Sequence, residues 1–431
     1  MLTRRDFLGG SAGLAAAVAA GCASGRRPDF DPGAPRPNIL VIQVDDLGFE
    51  LLGCYGGQTH KTPHCDRLAA SGMRFKYCFA TPACSPSRVQ LLTGRYNFRS
   101  GFIDITGRNG APSMLDPSKE ITLANLLSDA GYDTAVCCKW HLGWGSTPTT
   151  GPAEFDPRNY RPSSNIKACG FKEQYCFSGP HITYGPPYTT QYHPDVYHNW
   201  AMKYLESRKG KDRPFFLWYA MGLVHFDYDP TPLNPTGKKN DKANFPWMMQ
   251  YMDMLVGQTV RKLEELGLRD NTLIILTGDG GTDKHKTMWN GRELEGGKGT
   301  MKDTGAWSPL IVSWPGRIKP GSYCDELTDL TDILPTCCEV AGARVPTDRV
   351  IDGVSLVKPL LGQPGRNKPY VHVQLVKKRF VRDSRWKMRE DGRLFDCKDT
   401  PFDEKLIEAE KDTPESNEAR QRLAAWLAKL A

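Results

Sequence analysis

The sequence predicts an α/β fold, a mixed and mostly parallel central sheet sandwiched by helices. Three observations lead there. Several short runs are apolar throughout instead of alternating, as strands buried on both faces are. Stretches of helical length separate them, the pattern of chains that wind alternately between strand and helix. Polar and charged residues fall immediately past the runs, where open sheets of this class collect ligand-binding groups.

In chain order, Thr3-Arg4-Arg5-Asp6-Phe7-Leu8 precedes a small apolar run from Gly9 to Ala20, too short to span a bilayer. It reads as a twin-arginine export signal over residues 1–27, which predicts a periplasmic or extracellular protein. Ala19-Ala20-Gly21-Cys22 resembles a lipobox, so Cys22 either carries a lipid anchor or lies beside a cleavage site. That anchor is the one membrane attachment expected. A Pro/Gly/Asp-rich linker at 28–37 leads into the strand Asn38–Val44, with Asp45 and Asp46 at its carboxyl end. In Cys84-Ser85-Pro86-Ser87-Arg88 the proline suits a first helical turn and Val89–Leu92 continues it, which places Cys84 at a positive helix N-terminus. Leu123–Ala130 and Trp247–Leu266 read as helices. Further strands are predicted at Thr134–Cys138, followed by Lys139 and His141; at Phe215–Met221, followed by His225; at Leu273–Thr277, followed by Asp279; and at Leu310–Ser313.

Length allows one large and one small domain, and no repeat interrupts it. A formal charge of +7 spread over 431 residues lacks the concentrated basic face that nucleic-acid binding requires. Thirteen cysteines are an odd number, none lies in a CxxC pair, and Cys137-Cys138 and Cys337-Cys338 sit in apolar segments, so no cysteine is assigned to zinc.

Cys84-Ser85-Pro86-Ser87-Arg88, running on to Leu92-Thr93-Gly94-Arg95, resembles the maturation signature of the type I, formylglycine-dependent sulfatases of the alkaline phosphatase-like superfamily. In that family the cysteine is oxidised to formylglycine by a formylglycine-generating enzyme. One hydroxyl of the hydrated aldehyde attacks sulfur and the other later expels sulfate. The resemblance implies one calcium ion held by Asp45, Asp46, Asp279 and residue 84, with Arg88 bracing the diol. Cys138-Lys139-Trp140-His141 is similar to the family's Gly-Lys-Trp-His segment, which implies that Lys139 contacts sulfate and His141 takes a proton from the diol. His225 is implied as general acid at the ester oxygen, and Lys298, in Gly296-Gly297-Lys298-Gly299-Thr300, as a second cationic contact that shares the acid role. The same resemblance implies a catalytic domain over 38–365 and a small C-terminal subdomain over 366–431, with an antiparallel sheet around Asp383–Asp396.

The chain departs from the family at three positions. Cys138 replaces a glycine and Val224 a proline. Gly280 replaces the asparagine that usually follows the last metal aspartate, so a ligand is lost unless water, Thr282 or Asp283 fills its place. The reading is a sulfuric ester hydrolase acting on a sulfated carbohydrate or related alcohol. Its alternatives are an impaired protein that only binds sulfated glycans and a phospho- or phosphonoester hydrolase of the same superfamily. Phe171–Tyr192, with His181, Tyr184 and Tyr188, either lines a sugar subsite or packs as loop, and Asp227–Pro232 is placed to read the leaving group.

Overall fold

A computed structural model describes residues 35–143, 162–177 and 192–430. The export signal, Cys22 and most of the linker lie outside these, as do His181, Tyr184 and Tyr188. The described residues belong to one compact unit that begins at Pro35. Among them no helix is long and apolar enough to cross a membrane.

The strands are β1 (Asn38–Val44), β2 (Met73–Phe75), β3 (Asp133–Lys139), β4 (Glu173–Phe177), β5 (Phe215–Met221), β6 (Thr272–Gly278), β7 (Lys286–Trp289), β8 (Arg292–Glu295), β9 (Leu310–Ser313), β10 (Ser322–Cys324), β11 (Val371–Leu375), β12 (Lys378–Arg382), β13 (Trp386–Arg389), β14 (Leu394–Asp396) and β15 (Lys405–Ile407). Eight of them form the main sheet in the order β10-β2-β9-β6-β1-β5-β3-β4. β1 pairs in parallel with β5 and β6, and β3 with β5 and β4, whereas β9 runs antiparallel to both β6 and β2. The sheet is thus mixed and mostly parallel.

Continuous apolar runs became central strands because both faces are covered. Leu40, Ile42, Leu217, Tyr219, Ile274 and Leu276 pack under the helices His193–Ser207 and Phe245–Glu265, through Tyr197, Leu205, Met248, Met252 and Leu255. Neighbouring residues along a strand point the other way. Trp218 accordingly meets Trp140 and Phe171 on the opposite side, at 5.9 Å and 6.1 Å between ring centroids. Each fully buried aliphatic side chain contributes roughly 1.5–3 kcal/mol, and Ile39, Leu40, Val41 and Ile42 are all fully buried.

The second sheet is antiparallel, in the order β11-β12-β13-β14-β15. The segment Asp383–Asp396, where the sequence places this sheet, holds only β13 and β14. The sheet begins twelve residues earlier, at Val371, and ends at Ile407. The last strand has only three residues, Lys405–Ile407, whereas β11, Val371–Leu375, alternates apolar and polar residues. One face holds Val371, Val373 and Phe380 against Phe49, Tyr77, Phe79 and Trp307 of the larger layer. The helix Pro414–Lys429 covers Val381, Met388 and Leu394 through Ala419 and Leu423. Asp303 ties the two sheets together, receiving Arg382, the Lys387 ammonium at 3.1 Å and the Thr400 hydroxyl at 2.6 Å.

Candidate active site

Strand register brings the site together. Val44 is level with Met221 on one side and Gly278 on the other, and Cys138 is level with Ala220. The residues that follow, Asp45, Lys139 and Asp279, therefore emerge together at the carboxyl end of the central strands. The Asp45 amide donates to the Met221 and Leu223 carbonyls (3.1 and 3.0 Å), and the Asp279 amide to the Val44 carbonyl (3.1 Å). Asp46 and His141 both take left-handed backbone, with φ of 60° and 55°. Side chains other than glycine rarely settle there unless surrounding contacts fix them. For Asp46 one such contact is its amide, which donates to Asp279 Oδ1 at 3.1 Å.

Cys84 opens the helix Cys84–Thr93 as expected, and all ten residues of that helix are buried. The Thr81 amide donates to Ser87 Oγ, and Ser87 Oγ to the Ala83 carbonyl, which holds the approach to the helix (2.9 and 2.8 Å). Cys84 Sγ lies 3.1 Å from His141 Nδ1 and 3.9 Å from Lys139 Nζ. One turn on, the fully buried Arg88 donates to the Lys139 carbonyl at 2.7 Å and to Asp279 Oδ2 at 2.6 Å, and sits 3.7 Å from Asp45 Oδ2. Lys139 pairs with Asp45 and Lys298 with Asp46. His225 Nε2 stands 4.0 Å from Asp46 Oδ2. The nine residues expected to do the chemistry or hold the ion thus lie in one cluster of three carboxylates, three cations, two imidazoles and a thiol.

Charge and burial set the protonation states. Burial would raise Asp45, but Lys139, His225, Arg88 and Lys298 together hold it well below the usual carboxylate range. Burial pushes Asp46 up to about 7 in spite of Lys298, with Asp45 and Asp279 adding to the rise. His141 is driven well down by burial and then by Lys139 and Arg88. His225 is driven down by burial and Lys139. Burial also raises the Cys84 thiol, although Lys139 opposes it. A buried, protonated thiol is inert as a nucleophile, so this cysteine is not poised to react as a thiolate.

A hard cation fits here on structural grounds. Asp45 Oδ1 and Asp46 Oδ2 are buried acceptors with no hydrogen-bond partner. Ligand atoms of Asp45, Cys84 and Asp279 lie within 4.8 Å of one another, as do those of Asp45, Asp46 and His225. Two orphaned carboxylate oxygens in a buried site, with more carboxylate oxygen beside them, suit calcium. The expected stand-ins for the missing asparagine do not join the cluster. Thr282 Oγ1 accepts from the Gly48 amide at 3.0 Å, and Asp283 Oδ2 accepts from the Tyr228 hydroxyl at 2.8 Å. Position 280 itself is open, since a Cβ there would meet only the Thr81 carbonyl oxygen, at 3.2 Å. Gly281 cannot be replaced in this way, because its Cβ would fall 1.8 Å from the Thr304 carbonyl oxygen.

The segment expected to read the leaving group is largely internal: Tyr228, Asp229 and Thr231 are buried, and the Asn240 amide donates to Asp229 Oδ1 at 3.0 Å. Phe226, just before it, faces outward instead. Sequence reasoning also missed Glu50, fully buried with neither carboxylate oxygen hydrogen-bonded. Its one signal was an acid set between Phe49 and Leu51.

The sulfatase family model matches residues 37–343. The chain is 32% identical over 411 residues to the steryl-sulfatase of Rattus norvegicus, covering 76% of this chain and 71% of that protein. It is 31% identical over 381 residues to the N-acetylgalactosamine-6-sulfatase of Canis lupus familiaris, covering 78% and 68%. The crystal structure of Ps i-CgsB in complex with k-i-k-neocarrahexaose superposes with a TM-score of 0.74 at 24% identity, covering 92% of each chain, a likeness of fold. The chain belongs to the sulfatase family of the alkaline phosphatase-like superfamily and is a sulfuric ester hydrolase.

Proposed function

We propose that this hydrolase removes sulfate from a sulfated carbohydrate or related alcohol, with Cys84 matured to formylglycine by a formylglycine-generating enzyme. One calcium ion, held by Asp45, Asp46, Asp279 and residue 84, belongs to the same reading, as does export through the twin-arginine signal. The observation that carries it is Cys84 at a helix N-terminus, buried and 3.1 Å from His141 Nδ1. Burial disfavours its thiolate, yet it is placed where an oxygen nucleophile and a sulfate anion would both be stabilised. Formylglycine would supply that oxygen, and calcium would supply positive charge opposite the sulfuryl oxygens.

The chain's own residues account for the rest. His141, neutral at ordinary pH, is an acceptor for a proton at Nδ1 beside residue 84. Lys139, Lys298 and Arg88 surround the same point with fixed positive charge, which favours the more highly charged transition state over the ester. His225 is neutral as it stands, so donation from it to the ester oxygen draws on the negative charge of bound sulfate to raise its basicity. Lys298, whose charged form is favoured by Asp46, is the neighbouring donor. Support for a carbohydrate comes from the N-acetylgalactosamine-6-sulfatase relative and from the neocarrahexaose bound by the structural neighbour. The steryl-sulfatase relative keeps other alcohols within the class.

The test is mass spectrometry of the tryptic peptide spanning Cys84, after co-expression with a formylglycine-generating enzyme, alongside turnover of matched aryl sulfate and aryl phosphate. A loss of about 18 Da, thiol to aldehyde, together with sulfate-selective turnover is expected. Cys84→Ala should abolish that turnover at unchanged melting temperature. Full activity with an unmodified thiol would overturn the maturation reading.

A further inference from the structure

His225 and Lys298, the two proton donors at the ester oxygen, come from distant parts of the chain and meet at Asp46. His225 Nε2 is 4.0 Å from Asp46 Oδ2, and the Lys298 ammonium pairs with the same carboxylate. Bonds outside the charged cluster hold their two segments together. The Lys298 loop is laid along residues 282–285: the Lys298 amide donates to the Thr282 carbonyl and the Gly296 amide to the His285 carbonyl, each at 3.0 Å. The approach is so close that a Cβ at Gly296 would fall 2.2 Å from the Asp283 carbonyl oxygen. Tyr228, on the segment of His225, reaches the same strip. Its hydroxyl donates to Asp283 Oδ2 at 2.8 Å and lies 2.8 Å from His285 Nε2.

The proton count fixes the direction of both bonds. A phenol has one hydrogen, and the Asp283 carboxylate only accepts, because the Lys284 amide and the Tyr228 hydroxyl outweigh burial and hold it below its ordinary value. Burial drives His285 down to about 4, with Lys242 adding to the fall, so the ring is neutral at ordinary pH. It therefore carries its hydrogen on Nε2 and donates it to the Tyr228 oxygen. The rest of Tyr228 is fixed as well. It is buried, its carbonyl accepts from the Asp241 amide at 3.0 Å and from Asn244 Nδ2 at 2.8 Å, and Phe245 stacks on His285 at 3.7 Å while meeting the Tyr228 ring edge-on. A buried phenol that uses both its donor and its acceptor joins the two segments rigidly.

We infer that Tyr228 is a positioning residue for departure of the alcohol: by bonding the His225 segment to Asp283 and His285, it sets where His225 stands relative to Lys298 at the ester oxygen. This role rests on the sulfate-ester reading and adds to it a residue outside the charged cluster. Protonation of the departing oxygen matters in proportion to the basicity of the alcohol. 4-Nitrophenol leaves readily as its anion, whereas a more basic alcohol needs the proton. Misplacing a donor by about 1 Å costs up to roughly a hundredfold, so losing the Tyr228 bonds falls selectively on basic alcohols.

The test compares turnover of 4-nitrophenyl sulfate and phenyl sulfate, close in shape but unlike in the basicity of the alcohol, by calcium-loaded protein co-expressed with a formylglycine-generating enzyme. Wild type, Tyr228→Phe, Asp283→Ala and the double variant are measured. Tyr228→Phe should lower kcat for phenyl sulfate by roughly tenfold with little change in KM, and for 4-nitrophenyl sulfate by less than about threefold. Asp283→Ala should reproduce that split, and the double variant should add nothing to it. An equal fall for both esters, or no fall for either, would overturn the inference. Partial unfolding removes both activities alike, so the ratio of the two rates stays decisive even where a variant melts early. Crystal structures of wild type and Tyr228→Phe give a readout that needs no turnover. The His225 imidazole should move relative to Lys298 Nζ by about 1 Å, and unchanged placement would overturn the inference. Wild type that hydrolyses neither ester would refute the sulfate-ester reading and leave the two structures to decide what Tyr228 positions.

Discussion

Replacing Glu50 by glutamine removes a buried ionisable group while keeping its shape, and the structure sets both the sign and the size of the effect. Glu50 is wholly buried and neither of its oxygens has a hydrogen-bond partner. Its carboxylate and Thr282 Oγ1 crowd Gly48 so closely that a Cβ there would lie 2.3 Å and 2.5 Å from them. Burial pushes Glu50 from an ordinary 4.5 up to about 7. Because the folded value is the higher one, the neutral form is favoured in the fold. That stability is complete below the unfolded value and is lost as pH rises through about 7. At ~1.4 kcal/mol per pH unit, the ionised carboxylate costs the fold about 3 kcal/mol at pH ~8. For roughly 400 residues with an unfolding entropy of ~2 cal/mol/K each, this is about 4 °C in melting temperature. Scanning calorimetry of Glu50→Gln against wild type, at fixed calcium, should show equal melting at pH ~4.5 and a Gln variant about 4 °C more stable at pH ~8. A difference that does not change with pH, or a variant less stable at both, would refute the reasoning.

Three other outcomes follow from the cluster. Arg88→Ala leaves Asp279 and Asp45 buried without their guanidinium, which should cost roughly 3–5 kcal/mol in urea unfolding; a loss below about 1 kcal/mol would mean that water enters freely. Gly280→Asn should tighten calcium binding in a calorimetric titration, since only the Thr81 carbonyl oxygen stands near the new side chain; unchanged affinity would show that position 280 does not face the ion. Cys84→Ser can attack but lacks the second hydroxyl that expels sulfate, so a single-turnover experiment should trap a sulfated serine about 80 Da heavier, and absence of that adduct would count against the assignment.

The legible parts of the fold were those where one physical demand dominates. β1, β5 and β6 are covered on both faces, so their apolar runs announce themselves within a residue of the observed ends. β2 and β10 have three residues each and exist because distant partners supply their hydrogen bonds, which no local pattern reveals. The site was legible because a parallel sheet gathers the residues after its strands, so Asp45, Lys139 and Asp279 could be grouped before any coordinate was known. What the ion pairs among them do could not be read. Whether Lys139 rests on Asp45 or Arg88 on Asp279 depends on side-chain reach across strands, and so does the raised Asp46 beside a depressed Asp45. Thr282 and Asp283 looked equally suited to replace the missing asparagine; only their distances to Gly48 and Tyr228 show them committed elsewhere.

The complete burial of the helix Cys84–Thr93 turns the proposed maturation into a race. A modifying enzyme must grasp a stretch of chain around the cysteine, and every residue of this helix is buried in the folded protein. The opportunity closes when folding reaches that segment. The fraction of active molecules is then governed by competing rates and not by affinity. A variant that folds more slowly around residues 84–93 would emerge more fully converted, and overexpression that outruns the modifying enzyme would leave correctly folded, inactive protein that no later treatment could repair without unfolding it.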